Sequence, residues 1–526
     1  MKKIILIFIS LAFLAACNDF LTEEPGSEMR AEEFFTSSAH AYDAVNILYR
    51  RGCTNFYSAG IFSGSRAMLG SYMTGLFDNE YKGQEVHVQH SQNLTLNGHN
   101  LAGYFDGIWD ECYDAISKAN LAITNIPNTP GLTDIERNNL IAQARFFRAF
   151  NYFHLIKTFG DVPLILEAYS SLENMYVQRT ATKLVYDQII VDLLFAKDQG
   201  GLNDLPMPRN EFRISKGSVE MLLADVYLNM SGYPVQMQKY KEAAQVARMA
   251  INSHNYKLIT HHGHSPQSSA YNVMRVSDVE DEYMYSVEYD ANIETNNAQP
   301  RICYPTEAIS WGIFKSSVTN NAFKPSKQLL WIYDPEKDLR IQEKQFFHSS
   351  LTYTQDGVEI TKQFETAPYL WHDDEALFIT GKTSKDMVVY RYAELLLIAA
   401  EAIAQTEGVT AEAVEYLADV RSRGYWNTDR NEIVAELSGL PVIDFIHEVW
   451  KERLREFPLE YRIWSDIQRT HKFPVTSEES KGEITFVDAI GHTTIWGKTI
   501  EKKHLLFPIS ENEVQRNPNL IQNSGY

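Results

Sequence analysis

Apolar residues recur every three to four positions along most of this chain, the spacing of helices that bury one face. In "EEFFTSSAHAYDAVNILYRR" (32–51), Ala41, Val45 and Leu48 share one side. "FDGIWDECYDAISKANLAITNI" (105–126) continues the pattern and stops at Pro127, which cannot extend a helix. Thr133 and Glu136 have capping-box spacing ahead of "LIAQARFFRAFNYFHLIKTFG" (140–160), and Gly160 suits the residue just past its end. "TKLVYDQIIVDLLFAKDQG" (182–200) is also amphipathic. Two helical pairs follow, 215–232 with 240–253 and 388–405 with 410–424. A helix, a turn with Gly and Tyr and an Ala-rich second helix outline a tetratricopeptide unit. The predicted fold class is therefore mainly α: a tetratricopeptide-like helical-pair scaffold with an irregular loop and short-strand region packed on it.

The helical period lapses in three places. Residues 255–385 are rich in Tyr, Trp, Asn, Ser and Gly, with short alternating runs such as "EYMYSVEY" (282–289), and read as loops and short strands. Residues 52–104 read as a second loop-rich stretch. The third, 471–500, contains "ITFVDAIGHTTIWG" (484–497), a hairpin pattern. Binding residues commonly ride on such loops above a rigid frame.

The N-terminus departs from all of this. Lys2 and Lys3 precede an apolar run, Ile4 to Leu14, that has the length of a signal-peptide core and is too short to span a bilayer. "LAAC" (14–17) resembles a bacterial lipobox, in which the cysteine is lipidated and becomes the new N-terminus. Residues 1–16 are thus expected to be a lipoprotein signal peptide and Cys17 the lipid anchor. Several acyl chains, at about 0.8 kcal/mol per buried CH₂, hold a protein stably on a membrane. Asp19, Glu23 and Glu24 follow, resembling the surface-export signal of such lipoproteins, with ordinary linker charge as the alternative.

Composition narrows the function. The 526 residues are 44% hydrophobic and 12% aromatic, enough for a large core. The net charge of −20 becomes −22 once Lys2 and Lys3 are removed, and it argues against nucleic acid, whose phosphates need a basic face. The four cysteines include no CxxC spacing, so a cysteine zinc site is not supported, and at most one disulfide can form among Cys53, Cys112 and Cys303. "HHGH" (261–264) reads as an exposed loop rather than a metal site. "WHDDE" (371–375) has the acids a glycosidase would need, yet adjacent loop carboxylates usually just solvate. No GxSxG, HExxH or P-loop pattern occurs. No cofactor is expected beyond the lipid anchor.

Several blocks together resemble the SusD/RagB family of outer-membrane nutrient-binding lipoproteins. They are "CNDFLTEEP" (17–25), "QARFFRAFNYFHLIKTFGDVPLI" (143–165), "RYAELLLIAAEA" (391–402), "VRSRG" (420–424), "WKERLREF" (450–457), "YRIWSDIQR" (461–469) and "LLFPISENEVQRNPNLIQNSGY" (505–526). They occur in order from Cys17 to Tyr526. Pro458, Leu459 and Glu460 depart from the usual pattern, where the family has an acidic residue and Gly. The motifs read as scaffold, with Arg391, Glu394 and Glu401 pairing between helices. The resemblance implies one binding domain over 17–526, with helical scaffold at 30–254 and 386–470 and ligand loops at about 255–385. It implies an outer-membrane, lipid-anchored protein facing the cell exterior that captures an oligosaccharide and delivers it to a SusC-like TonB-dependent transporter without breaking a bond. A peptide-capturing member is the alternative within that class, and a surface glycosidase the alternative outside it.

Sugars present flat C–H faces rimmed by hydroxyls, so their sites combine exposed aromatic rings with polar side chains at the edge. Three stretches have that composition. The first runs from Phe77 to Tyr81 with Asn97 and Asn100. The second is "RICYPTEAISWGIF" (301–314), with Arg301, Tyr304 and Trp311. The third is "YLWHDD" (369–374), with Tyr369 and Trp371. Ser310 and Gly312 beside Trp311 favour its exposure, whereas Trp331 and Tyr333 follow two leucines and read as core.

Overall fold

The computed structural model describes residues 34–53, 61–168, 175–262, 265–293, 297–316 and 319–526, with the backbone alone for 61–65. Cys17 and the acidic residues after it lie outside the described residues, as do Gly263 and His264 of the histidine-rich loop.

Helix α1 (Ser38–Asn46) buries Ala41 and Val45, and the 3₁₀ turn after it buries Leu48. Next come α2 (Ile61–Thr74), α3 (Val86–Gln92) and α4 (Ala102–Asn125). α5 (Asp134–Phe159) starts at the Thr133–Glu136 capping box and ends at Gly160, whose φ of 74° would strain a residue with a Cβ. α6 (Thr182–Asp198), α7 (Lys216–Ser231) and α8 (Tyr240–Asn252) continue the array. After a long excursion the chain resumes with α9 (Tyr392–Glu407), α10 (Ala411–Gly424), α11 (Arg430–Ser438), α12 (Val442–Glu456) and α13 (Ile463–Thr470). From α5 to α11 each helix packs on the one before it, and α8 packs on α9 although the whole excursion separates them in sequence. Stacking of successive helices is the logic of a tetratricopeptide-like scaffold. The fold is mainly α, with short strands in small sheets.

Two sequence expectations are corrected. Residues 52–104 are not chiefly loop, since α2 and α3 lie there. Glycine weakened the helical pattern, and its use is steric. A Cβ at Gly70 would lie 2.2 Å from the Trp464 ring, so α2 reaches α13 only at a glycine. The run at 484–497 is not a hairpin with itself. Its first half, β8 (Thr485–Asp488), pairs back with β7 (Lys472–Val475). The alternation was real, but the partner lies upstream.

The excursion is pinned at both ends. β2 (Tyr283–Val287) and β6 (Met387–Arg391) pair antiparallel with Tyr283 opposite Arg391, closing residues 288–386 into a loop on the scaffold. β1 (Phe77–Asp78) pairs with β3 (Lys324–Pro325), tying the early loop to it. Within the excursion, β4 (Phe347–Gln355) and β5 (Val358–Pro368) form a hairpin turned by Asp356 and Gly357, both at positive φ.

The motifs of the C-terminal half meet in a buried ion network. Arg391 Nη1 lies 2.7 Å from Glu282 and 3.0 Å from Glu456, and its Nη2 lies 2.7 Å from Glu460. Arg340 pairs with Asp338, Glu452 and Glu456 at 2.8, 2.7 and 3.0 Å. Arg423 bonds Glu282 and Glu456, Arg453 and Arg462 share Glu394, and Arg469 meets Glu401 at 2.6 Å. The expected pairing of Arg391, Glu394 and Glu401 is present, and Glu460, from the departing turn, is part of it. Tyr333 is buried and its hydroxyl donates to the Arg455 carbonyl, while Trp331 is only half-buried.

Candidate functional site

The excursion carries a small core of its own. Cys303, Tyr304, Ala308, Leu351 and Leu377 are buried together, and Trp311, Ile313, Phe314, Tyr353, Phe364 and Phe378 pack partly exposed around them. Three local structures bring them there. A 3₁₀ segment, Thr306–Trp311, ends at Gly312 with φ 73° and turns the chain so that Trp311 and Phe314 face the same cluster. The β4–β5 hairpin delivers His348, Leu351, Tyr353 and Phe364 from one face. A wide turn at Glu375–Ile379 adds Leu377 and Phe378.

Tyr304 is the hub. Its ring centre lies 4.8 Å from His348, 4.9 Å from Phe314, 5.4 Å from Phe364 and 5.6 Å from His372, the range in which aromatic pairs attract. Trp311 lies 6.0 Å from Phe364 and 6.1 Å from Phe314. Tyr369 stacks on His372 at 4.6 Å, and the Arg275 guanidinium sits 5.0 Å over the Tyr369 ring while donating to the His372 carbonyl.

A cleft of about 440 Å³ opens over this cluster. Ile313, Leu351, Tyr353, Tyr369 and Phe378 supply its apolar wall, and Thr352, Thr354, Lys344 and Asp374 its polar edge. Tyr304 and His372 also border it; Tyr304 is fully buried, so it supports the floor from beneath rather than facing water. Burial holds His348 down at about 4 and His372 well below the ordinary histidine value, so both imidazoles are neutral at neutral pH. Burial also pushes the Tyr304 and Tyr369 phenols up. The cleft thus has an uncharged aromatic wall with charge only at its rim. A similar volume, about 450 Å³, lies beside Lys157, Arg469 and His471, but its walls are scaffold helices and their connections.

The structure gathers some of the candidate residues and separates others. Tyr304 and Trp311 belong to one cluster. Trp371 stands at its edge, turned onto Phe323 at 5.8 Å, where it borders a narrow cavity of about 50 Å³ with Gln299 and Tyr461. Arg301 is half-buried on the segment leading into Tyr304, and its carbonyl accepts from Asn320. Tyr81 is half-buried too. The neighbouring Glu80 accepts from the amides of Thr306 and Asn321 at 3.0 Å, so the early loop does reach the mid-chain region. Asn97 and Asn100 instead shape the turn into α4: Asn97 Oδ1 accepts from the amides of His99 and Asn100, and Asn100 Nδ2 donates to the Thr95 carbonyl. That turn packs on the C-terminal segment, where a Cβ at Gly98 would lie 2.4 Å from the Ile509 carbonyl oxygen.

Sequence reasoning passed over His348, Tyr353, Phe364, His372 and Phe378. "TQDGVEI" (354–360) carried the usable signal, because Asp-Gly between alternating runs marks a hairpin. Of the acids in "WHDDE", Asp373 is taken up locally, accepting from the Ala376 amide and the Thr383 hydroxyl. His261 is structural, bonded to the Arg423 carbonyl and the Ala270 amide. Among the described residues no group of His, Cys, Asp and Glu is arranged to hold a metal, and no helix is long and apolar enough to cross a membrane. Cys53, Cys112 and Cys303 are free thiols, with the first two sulfurs 3.8 Å apart.

Comparison with known proteins places this architecture. Residues 378–526 match the family model described as the SusD family, and residues 19–228 match that described as starch-binding associating with outer membrane. A SusD-like protein of Formosa agariphila is 26% identical over 498 residues, covering 89% of this chain and 91% of its own length. The crystal structure of a SusD superfamily protein from Parabacteroides distasonis superposes with a TM-score of 0.79 at 27% identity, over 95% of this chain and 100% of that one. A laminarin-binding SusD-like protein shares the fold, with a TM-score of 0.69 at 20% identity over 93% of this chain and 100% of its own. With two family models covering its N- and C-terminal parts and a SusD superfamily structure superposing over 95% of its length, this chain belongs to the SusD/RagB family.

Proposed function

We propose that this protein is a cell-surface glycan-binding lipoprotein that captures an oligosaccharide in the aromatic cleft of its excursion and hands it to a SusC-like TonB-dependent transporter of the outer membrane. The observation that carries the reading is the cleft itself: about 440 Å³, walled by tyrosine, phenylalanine and aliphatic side chains and edged by threonine hydroxyls. Such a surface stacks on sugar C–H faces while its rim bonds hydroxyls. A starch-binding family description and a laminarin-binding protein of the same fold point the same way. The chemistry is capture and release, with no bond broken. Cys17 carries the lipid that holds the protein at the membrane, and the helical scaffold rather than the cleft meets the transporter.

Affinity electrophoresis through gels containing laminarin or starch tests the reading. Retarded migration without hydrolysis is expected, and Trp311→Ala, by loosening the ring cluster beside Phe314 and Phe364, should weaken it several-fold. Release of reducing sugar would make the protein a glycosidase. Migration unchanged by either polysaccharide but altered by a peptide digest would make it a peptide receptor.

A further inference from the structure

One polar atom bordering the cleft is left unsatisfied. His372 is 3% exposed, its Nε2 lies 2.9 Å from the Tyr304 hydroxyl, and its Nδ1 has no hydrogen-bond partner among the described residues. A buried tyrosine hydroxyl with a single partner donates to it, because a stranded O–H is costlier than an unused lone pair. Nε2 therefore accepts, and the one proton of the neutral imidazole sits on Nδ1, an assignment that follows from the hydrogen-bond network.

Asp374 stands opposite. Its Oδ1 lies 3.9 Å from His372 Nδ1, too far for a hydrogen bond. Its side chain is 75% exposed, so it can swing without disturbing the core. Both residues border the cleft. The pair offers a fixed N–H donor beside an exposed carboxylate acceptor, and outward rotation of the carboxylate sets the space between them.

A hydroxyl fills that place with a single oxygen, accepting from Nδ1–H and donating to the carboxylate. A peptide carbonyl only accepts and a peptide N–H only donates, so neither satisfies both sides. A ligand carboxylate or sulfate only accepts, and Asp374 repels it. On the glycan-binding reading above, we propose that His372 and Asp374 are the specificity-determining pair of this cleft, gripping one hydroxyl of a neutral sugar chain between them. Tyr304 is then a positioning residue: it stays beneath the floor and fixes which imidazole nitrogen carries the proton.

The test uses laminarin and starch as neutral probes, polygalacturonate as an acidic one and a casein digest as a peptide source. Affinities are measured by gel retardation and calorimetry on the full chain, with melting temperature recorded for every variant. Asp374→Ala should weaken binding of the retarding neutral polysaccharide about tenfold, the effect of one charge-assisted hydrogen bond, with no change in melting temperature. His372→Phe should weaken it by a similar factor. Because both grip one hydroxyl, the double variant should lose little more than either single one. Undiminished affinity in Asp374→Ala, or losses that multiply in the double variant, would overturn the pair while leaving glycan binding intact. Retardation by polygalacturonate or peptide alone, or by no probe at all, would overturn the glycan reading and the pair with it.

Discussion

Arg391 on β6 is 1% exposed and is ringed by Glu282, Glu456 and Glu460; Tyr304 in the excursion is fully buried and is ringed by Phe314, Phe364 and two histidines. The two surroundings place different demands on sequence. A buried guanidinium is tolerable only when its hydrogen-bond donors meet carboxylates in one geometry, so it locks segments far apart in the chain into one register. Here Glu282 comes from the start of the excursion, Arg340 from its middle, and Glu452 and Glu456 from α12. Rings attract less directionally and accept exchange of shape, so an aromatic pocket can be reshaped for another ligand while the frame stays in place. The family models match residues on both sides of Tyr304 and His372 and include every arginine of the network except Arg340, together with most of its carboxylates.

Removing an arginine should therefore be the most damaging change. Arg391→Met leaves Glu282 and Glu456, both 0% exposed, short of a partner and should cost about 3–5 kcal/mol. Tyr353→Ala, on the partly exposed rim of the cleft, should cost under about 1 kcal/mol of stability. Thermal and denaturant unfolding of the two variants compares them directly. If Arg391→Met melts within a degree or so of the wild type, the ion network does not hold the excursion and the contrast collapses.

Acid should separate the regions by pH rather than by size of effect. His348, held at about 4 by burial, is neutral in the fold, so its contribution is complete above about 6.5 and is lost as the pH falls through about 4. His372 acts in the same sense, its imidazole also held down by burial. In the network, the arginines hold Glu452 and Asp466 down at about 2 against the opposing effect of burial. Their contribution is complete above about 4.5 and is lost as the pH falls through about 2. Acidification should loosen the aromatic cluster first, with near-ultraviolet ellipticity and amide protection of residues 347–372 declining while far-ultraviolet ellipticity stays intact. Simultaneous loss of all three signals would mean that the cleft has no separate stability.

The same contrast explains what could be read from the sequence. The scaffold is specified locally. The Thr133–Glu136 box, the stop at Gly160 and the apolar spacing of Ala41, Val45 and Leu48 each lie within a few turns of chain, and each formed as expected. The cleft is specified by tertiary pairing. His348, Phe364 and His372 meet Tyr304, and Phe378 joins their cluster, only because β4 and β5 pair and the loop closes on β2–β6, and no window of adjacent residues contains them together. Composition singles out Tyr304 and Trp311 as candidates but not the rings that surround them. Asn97 and Asn100 bond their own turn, and composition alone does not separate turn-forming asparagines from a polar edge that meets a ligand.

The smallest effect should arise where the two regions touch. Asp386, 8% exposed, immediately precedes β6 and borders the narrow cavity shared by Trp371 and Arg391. Burial pushes its carboxyl up to about 9, helped by a hydrogen bond with and repulsion from Glu288, whose own carboxyl is raised by burial. A raised carboxyl contributes stability that is complete below about 3.8 and is lost as the pH rises through about 9. The wild type should therefore weaken progressively toward alkaline pH, the reverse of Glu452 and Asp466. Asp386→Asn keeps an Oδ1 acceptor for the Tyr289 amide, bonded at 2.8 Å in the wild type, and removes the charge. It should raise stability by about 1 kcal/mol at mildly alkaline pH and flatten that limb of the profile, while leaving glycan affinity unchanged. Melting temperature followed from neutral to alkaline pH in both proteins measures this. An alkaline limb as steep in Asp386→Asn as in the wild type would show that this carboxyl is not the group strained at the junction, and would leave the joint between frame and cleft as tight as either region.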